Sequence, residues 1–456
     1  MKNLSGKDTV FVASMLFGMF FGAGNLIFPA SMGQLAGSEM WKAAAGFLIT
    51  GVGLPLLGVA ALGISREAGL LELSSRIGKK YGVFFTCMLY LTIGPFFAIP
   101  RCATVSFEVG AAGILPADME TKVVLAVFSF LFFAAVLFFS LRPGEILTWI
   151  GKVLNPLFLC FLGILVVRAL FSPMGRIGQT VPSGAYAENA FFTGFLEGYN
   201  TMDALAGLAF GIVVVNVIHG LGVDRPEAVA KNTVKAGILS SLLMGMIYIL
   251  VTVVGAQSRG IFPAAENGGE ALALIAEHYF GTAGAAILAV TVTVACLKTA
   301  VGLITSCAQT FQKIFPGGPS YSAWSVGFCI LSFLVANLGL NAIIAYSLPV
   351  LRFLYPLAIT LILLTLFGSL YGNDRRVYAW VTGCTAAAAV VDFLNALPGR
   401  TAALLQIDAL ASAAQSVIPF AEAGFGWLCP AVLGLLIGLA ATKNGKQQYP
   451  KTERKY

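Results

Sequence analysis

The stretch FGMFFGAGNLIFP, residues 17–29, decides the fold of this chain. It lies at the centre of an apolar run over residues 9–34. A helix of about 20 residues is long enough to cross the roughly 30 Å hydrocarbon core of a membrane. Residues 22–25 of this run read Gly-Ala-Gly-Asn, and glycine is among the poorest helix formers. We therefore predict a membrane-spanning helix that is interrupted near its middle.

An interrupted span has a specific chemical use. Unwound backbone at membrane depth must face protein or a water-filled cavity, because lipid offers no hydrogen-bond partners. Two half-helix ends then meet at the midplane, where free N–H groups attract an anion and free C=O groups attract a cation. Such a site suits the two opposite charges of an amino acid. The alternative interpretation is a glycine-rich face that lets neighbouring helices pack closely.

The composition is that of a membrane protein with many spans. Of the 456 residues, 58% are hydrophobic and 11% are charged, and the mean hydropathy is +0.87. A soluble domain would carry about 25% charged residues. We treat the first apolar run as a retained span, because it is long for a signal peptide and lacks a small-x-small cleavage site. The twelve predicted spans cover residues 9–34, 43–65, 81–112, 122–141, 146–170, 190–218, 232–255, 283–312, 322–338, 342–369, 377–397 and 424–442.

The distribution of basic residues sets the orientation. Of the 28 Lys and Arg residues, nineteen fall in connections on one side of the predicted spans, six on the other side and three inside spans. Because Lys and Arg favour the cytoplasmic side, we predict that both termini are cytoplasmic. The net charge of +7 follows from this topology. The expected neighbours are therefore membrane lipids, with no nucleic acid partner.

Several kinds of chemistry lack the residues that they need. All eight cysteines lie inside or at the ends of apolar spans, so they do not form a disulfide framework. The only histidines are His219 and His278, and no Cys/His cluster has zinc spacing. The sequence has neither a G-x-S-x-G elbow nor a Walker loop. We therefore expect no catalytic residues, no transition metal and no cofactor beyond a coupling ion.

The sixth span resembles the first. It reads FFTGFLEGYNTMDALAGLAFG, residues 191–211, and is interrupted at Gly198, Tyr199 and Asn200. Spans one and six each open a group of five and enter the membrane from opposite sides, as in an inverted repeat. The predicted organisation is an all-α five-plus-five repeat with two extra spans and a basic tail. These parts cover residues 1–170, 190–369, 377–442 and 443–456.

Charged side chains inside the spans form a second set of candidates, since charges at membrane depth are costly and often mark a pathway. They are Arg101 and Glu108 in span three, Glu197 and Asp203 in span six, Lys298 in span eight and Arg352 in span ten. Structural roles are the alternatives. Arg101 and Glu108 could form buried pairs, the two span-six acids could cap or pack the broken helix, and Arg352 could cap freed carbonyls or close an inner gate.

Four motifs, in this order, resemble one family. They are FGAGNLIFP (21–29), GPFFAIPRCATVSFE (94–108), GFLEGYNTMDALA (194–206) and ACLKTAVGLI (295–304). The chain is similar over nearly its whole length to the bacterial branched-chain amino acid carriers of the BrnQ type, in the amino acid–polyamine–organocation superfamily. The resemblance implies a LeuT-type fold with discontinuous helices 1 and 6, an inner-membrane location, and cation-coupled import of leucine, isoleucine and valine.

The resemblance also implies where the substrate binds. Backbone N–H groups around residues 22–24 would hold its carboxylate, and carbonyls near Phe21 and Gly198 its ammonium. Asn25 would lie beside the substrate or the ion. Phe96, Phe97 and Tyr199 are the candidates for the side-chain pocket. The complete set of predicted substrate-binding residues is Phe21, Gly22, Ala23, Gly24, Asn25, Phe96, Phe97, Glu197, Gly198, Tyr199 and Asn200.

A sodium site is implied by the same resemblance, with one departure. Carbonyls of Gly18 and Phe21 in span one would face Ala295, Lys298 and Thr299 in span eight. An ammonium cannot ligate Na⁺ and would repel it. One hypothesis is that Lys298 takes the place of the ion, so that coupling is proton-linked or absent. The other is that Lys298 turns aside, toward an acid of span six or water, and leaves Na⁺ its site.

The sequence therefore predicts a secondary transporter that works by alternating access. Its expected activity is symport of a branched-chain amino acid with Na⁺, and the first alternative is a proton-linked or ion-independent permease. A membrane sensor or channel could use the same interrupted helices, and a membrane enzyme is a remote third class. The sequence makes no prediction of an oligomeric state.

Overall fold

Helices make up almost all of the chain that the structure describes, because in lipid each backbone N–H and C=O group needs a partner within its own segment. The computed structural model describes residues 4–22, 24–65, 67–110, 120–142, 159–223, 225–399, 419–421 and 423–447. Seventeen helices within these ranges are α1 (Gly6–Phe20), α2 (Gly24–Ala36), α3 (Met40–Leu48), α4 (Leu54–Ser65), α5 (Leu70–Ser74), α6 (Lys79–Leu91), α7 (Ala98–Gly110), α8 (Thr121–Ser140), α9 (Leu159–Phe171), α10 (Ala185–Glu197), α11 (Asp203–Gly220), α12 (Pro226–Ser258), α13 (Gly268–Ile314), α14 (Tyr321–Ala336), α15 (Leu340–Leu366), α16 (Arg375–Asn395) and α17 (Leu428–Gln447).

Eight helical stretches in the described ranges are long and apolar enough to cross a membrane. They are Gly24–Ser65, Lys79–Gly110, Thr121–Ser140, Asp203–Gly220, Glu227–Ser258, Gly268–Ile314, Leu340–Leu366 and Arg375–Asn395. Three shorter apolar helices are Leu159–Phe171, Tyr321–Ala336 and Leu428–Thr442. The structure therefore has many helices that are long and apolar enough to span a membrane, as the sequence predicted. The count of twelve spans stays a prediction.

Some of the sequence predictions fall on parts of the chain outside the described residues. These parts are Ala23 in the first interruption, the end of span three at 111–112, the start of span five at 146–158, and the tail from residue 448 onward.

The chain leaves helical geometry at the two glycine-containing stretches of spans one and six. Helix α1 ends at Phe20, Phe21 is extended, and α2 begins at Gly24. Helix α10 ends at Glu197 and is followed by a single 3₁₀ turn over Gly198–Thr201. Met202 then adopts a left-handed backbone (φ 63°) before α11 begins, a conformation that is uncommon for a residue other than glycine.

Span three bends at its motif GPFF. Helix α6 ends at Leu91, and a wide π-type turn over Thr92–Phe96 contains Gly94 in a non-helical conformation. Pro95 lacks a backbone N–H and so cannot complete the helical hydrogen bonds at this point. Helix α7 then starts at Ala98 with a changed direction. This bend sets which residues of the motif face the centre of the bundle.

The spans pack in two groups. In the first group, α2 and α1 lie along α12, α3 along α10, and α4 along α11, which joins spans one, two, six and seven. In the second group, α7 lies along α13, and α8 and α14 pack on α13 and on each other, which joins spans three, four, eight and nine. Helix α16 packs between α15 and α17.

Glycines bring the backbones of the first group into direct contact. A Cβ atom on Gly33 would overlap the carbonyl oxygen of Thr252, and one on Gly255 would overlap that of Ala30, so α2 and α12 touch at both positions. Gly46 meets the Phe191 carbonyl in the same way between α3 and α10. Small residues commonly allow this close approach of helices in membranes.

We expect Gly46→Ala to destabilise the protein, because its methyl group would collide with backbone that cannot move aside. Overpacking of this kind costs about 1–3 kcal/mol. The measurement is the apparent melting temperature in detergent, followed by fluorescence-detected gel filtration. Gly327→Ala is the control, because nothing lies within 4 Å of the added methyl group on α14. An equal melting temperature for the two variants would contradict direct backbone contact at Gly46.

Candidate functional site

A small cavity lies where the two groups of spans meet. Its volume is about 40 Å³, room for only a few water molecules. Spans one and six line it from the first group and spans three and eight from the second. The lining residues are Met19, Phe20, Gly22, Gly24, Asn25, Ile93, Ala98, Arg101, Cys102, Thr201, Met202, Asp203, Ala206, Phe210, Thr299 and Leu303.

One buried polar network connects the two helices that begin at the cavity. The Asn25 side chain on α2 donates to Oδ2 of Asp203 on α11 at 2.6 Å, and its Oδ1 accepts from the Gly22 N–H at 2.8 Å. The Tyr248 hydroxyl on α12 donates to the same Asp203 oxygen at 2.8 Å and is hydrogen-bonded to Asn25. Asn25, Asp203 and Tyr248 are each at most 3% exposed. The carboxylate is thus stabilised by two donors from different helices.

Arg101 is a buried cation that also lines the cavity. It is 3% exposed, and its Nη1 donates to the backbone carbonyl of Asn200 at 2.6 Å. Its guanidinium lies over the ring of Phe28, 5.0 Å from the centroid. The predicted neighbour Glu108 lies elsewhere, beside Gly269 at the start of α13, where a Cβ on Gly269 would be 3.2 Å from its own Cβ. Arg101 therefore interacts with the interruption of span six.

The span-six candidates divide between the cavity and the packing around it. Thr201, Met202 and Asp203 line the cavity, whereas Glu197, Gly198, Tyr199 and Asn200 do not. The Asn200 amide donates to Glu197 at 3.2 Å. Gly198 lies against Thr50, whose hydroxyl donates to the Phe195 carbonyl at 2.7 Å. The Tyr199 ring stacks on Tyr355 with centroids 3.9 Å apart.

The predicted pocket residues of span three also lie off the cavity. Phe96 is 38% exposed, and Phe97 is partly buried at the end of the bend. The cavity is instead lined by Ile93 before the bend and by Ala98 after it. The non-helical Gly94 turns the two phenylalanines away, an effect that helical spacing could not predict.

The predicted ion-site residues of spans one and eight lie close together in part. A Cβ on Gly22 would be 3.3 Å from Cγ2 of Thr299, which places the end of α1 beside α13. Thr299 lines the cavity, and its hydroxyl donates to the Ala295 carbonyl at 3.1 Å. Gly18 lies three residues before Phe21, near the end of α1.

The predicted ion-site cation Lys298 and the predicted pathway cation Arg352 do not line this cavity. Lys298 is half-buried and forms no hydrogen bond or ion pair with the residues that the structure describes. Arg352 on α15 interacts electrostatically with Asp392 on α16 and with Tyr199. Its Nε has no hydrogen-bond partner within the described ranges.

Sequence reasoning missed Tyr248, Thr201 and Met202. Tyr248 carried a usable signal, because a tyrosine hydroxyl in the apolar run MIYILVTVV needs a partner when it is buried. Its partner could not be predicted, since Asn25 and Asp203 lie on other helices. Met202 lines the cavity through a left-handed backbone conformation that no local sequence pattern indicated.

Comparisons with known proteins agree on one family. The model of a family described as branched-chain amino acid transport protein matches residues 5–445. The chain is 51% identical over 429 residues to the branched-chain amino acid permease BrnQ of Lactobacillus delbrueckii subsp. lactis, covering 94% of this chain and 95% of that one. It is 42% identical over 437 residues to the branched-chain amino acid permease BrnQ of Bacillus subtilis, covering 96% and 97%.

A solved structure shares the fold. Mhp1, a nucleobase-cation-symport-1 family transporter in a closed conformation with bromovinylhydantoin bound, superposes with a TM-score of 0.61 at 15% identity. The alignment covers 98% of this chain and 94% of that one. At this identity, the similarity shows a LeuT-like fold and nothing about the ligand.

We expect Tyr248→Phe to lower the stability of the folded protein, because the buried Asp203 carboxylate loses one of its two side-chain donors. A hydrogen bond to a charged group contributes about 1.5–3 kcal/mol. The measurement is again the apparent melting temperature in detergent. Tyr346→Phe is the matched control, since Tyr346 is 50% exposed. Equal melting temperatures would show that the hydroxyl of Tyr248 does not stabilise the network.

Proposed function

This chain belongs to the family of branched-chain amino acid transport proteins, which are transporters and not enzymes, and from that premise we propose that it imports leucine, isoleucine and valine together with Na⁺ by alternating access. The proposed location is the bacterial inner membrane, with both termini in the cytoplasm. The proposed fold in detail is the twelve-span, five-plus-five inverted repeat described above.

The observation that carries this proposal is the position of the cavity. It lies between the two groups of spans, at the start of both α2 and α11. A helix N-terminus attracts a carboxylate, and free carbonyls at a helix C-terminus attract an ammonium. A rocking of spans one, two, six and seven against the other group would expose such a site to one side of the membrane at a time.

The apolar part of the cavity wall supports an aliphatic substrate. Met19, Phe20, Ile93, Phe210 and Leu303 supply it. An apolar pocket distinguishes side chains that differ by one methylene by only about 1–3 kcal/mol. Leucine, isoleucine and valine should therefore compete for the same site.

The proposed sodium site uses oxygen atoms only. The carbonyls of Gly18, Phe21 and Ala295 and the hydroxyl of Thr299 are hard ligands of the kind that Na⁺ prefers. A second candidate is proton-linked transport, which the half-buried ammonium of Lys298 favours because it has no ion-pair partner within the described ranges. Buried lysines lose their proton more readily than exposed ones.

A matrix of Na⁺ and pH gradients separates these two mechanisms. In proteoliposomes, we expect accumulation of labelled leucine with a Na⁺ gradient alone and none with a pH gradient alone. Lys298→Thr should keep the dependence on Na⁺. Accumulation that follows the pH gradient, ignores Na⁺ and is lost in Lys298→Thr would instead support the proton-linked mechanism.

We expect Thr299→Val to raise the Na⁺ concentration for half-maximal uptake roughly tenfold or more, because the ion loses a hydroxyl ligand and each 1.4 kcal/mol is about tenfold. Thr291→Val is the matched control. Thr291 lies on the same helix and donates to the carbonyl four residues before it, as Thr299 does, but it does not line the cavity. An unchanged Na⁺ dependence in Thr299→Val would contradict the proposed site.

A further inference from the structure

Arg101 is a buried side chain of the cavity wall to which the proposed mechanism assigns no role. It is 3% exposed and lines the cavity, and its one hydrogen bond within the described residues runs from Nη1 to the Asn200 carbonyl. No carboxylate in the described ranges lies within ion-pair distance of it. Asp203 and Glu197 attract the guanidinium from beyond ion-pair distance. Its Nη2 and Nε make no hydrogen bond with the described residues, so these donors of the planar fork can bind a ligand.

The first turn of α2 lies directly beside this guanidinium. A Cβ atom on Gly24 would be 2.8 Å from Nη2 of Arg101, so the guanidinium approaches the backbone of this turn closely. The N-terminus of a helix carries a partial positive charge. A cation next to it is repelled unless both share an anion. Two positive features, from spans one and three, therefore converge on one point of the cavity.

The cavity also carries one group of the opposite sign. Asp203 lines it, and the two side-chain donors that hold this carboxylate both bind Oδ2. Arg101 and Asp203 face the same space without pairing to each other. A ligand with a negative and a positive end matches this distribution of charge.

We propose that Arg101 binds the carboxylate of the amino acid substrate, together with the first turn of α2. This assignment rests on the proposed function and adds a side chain to a site otherwise built from backbone groups. Arginine suits the role because its planar donors can hold both oxygens of a carboxylate at once. The competing explanation is structural, in which Arg101 only ties span three to the Asn200 carbonyl.

The test compares two ligands that differ only at the carboxylate. Leucinol carries a hydroxymethyl group in place of the carboxylate of leucine. The affinity of the purified full-length protein for each is measured by ligand-induced shifts of its melting temperature. We expect Arg101→Gln to lower the affinity for leucine at least about 30-fold, which is the effect of removing one partner of a buried charge pair. Leucinol should bind this variant as it binds the unaltered protein.

Two further variants keep the test decisive. Arg101→Lys retains a positive charge if the glutamine variant does not fold, and it should keep part of the preference for leucine because lysine lacks the planar fork. Arg352→Gln removes another arginine of the membrane region, one that does not line the cavity. Its preference for leucine over leucinol should equal that of the unaltered protein.

The outcomes separate this assignment from the proposed function. If a folded Arg101 variant loses affinity for leucine and leucinol equally, Arg101 does not bind the carboxylate. The same conclusion follows if Arg352→Gln lowers the preference for leucine over leucinol as much as Arg101→Gln does. If the unaltered protein binds no leucine at all, the proposed function itself fails.

Discussion

Backbone that leaves helical geometry inside a membrane must find partners within the protein, and this constraint organises the centre of the molecule. The chain does so between α1 and α2 and again between α10 and α11. The side chains of Asn25, Asp203 and Tyr248 join the starts of α2 and α11 to α12. Arg101 joins α7 to the carbonyl of Asn200. Four spans are thus connected at the place where helical hydrogen bonding is incomplete.

Polar and apolar groups have separate tasks around the cavity. The buried network fixes the ends of the helices, because a buried carboxylate with several donors has few alternative arrangements. The apolar wall leaves the shape of the space to side chains such as Ile93 and Phe210. The aromatic stack of Tyr199 on Tyr355 lies just outside and connects span six to span ten. A membrane-embedded site can in this way hold charges without exposing them to lipid.

The amino-acid sequence predicted the family and the helical membrane architecture, and both are confirmed. It also directed attention to the stretches where α1 and α10 end, because glycine in an apolar run is a local signal. The partners across the cavity could not be predicted. Tyr248, Asp203 and Asn25 are brought together from three helices, and the turn at Gly94 moves Phe96 and Phe97 away. The predicted binding residues, repeat boundaries and coupling ion stay predictions.

The glycine contacts of the first group of spans limit how this part of the protein can move. Where backbone touches backbone, as at Gly33 and Gly46, no flexible side chains are present to absorb a rotation. A relative rotation of α2 and α12, or of α3 and α10, would first have to separate backbones that are in contact. Non-helical backbone at Phe21 and Met202 offers places where the chain can bend instead. Close backbone contact within the helix pairs thus makes the two non-helical stretches the natural hinges of this part of the protein.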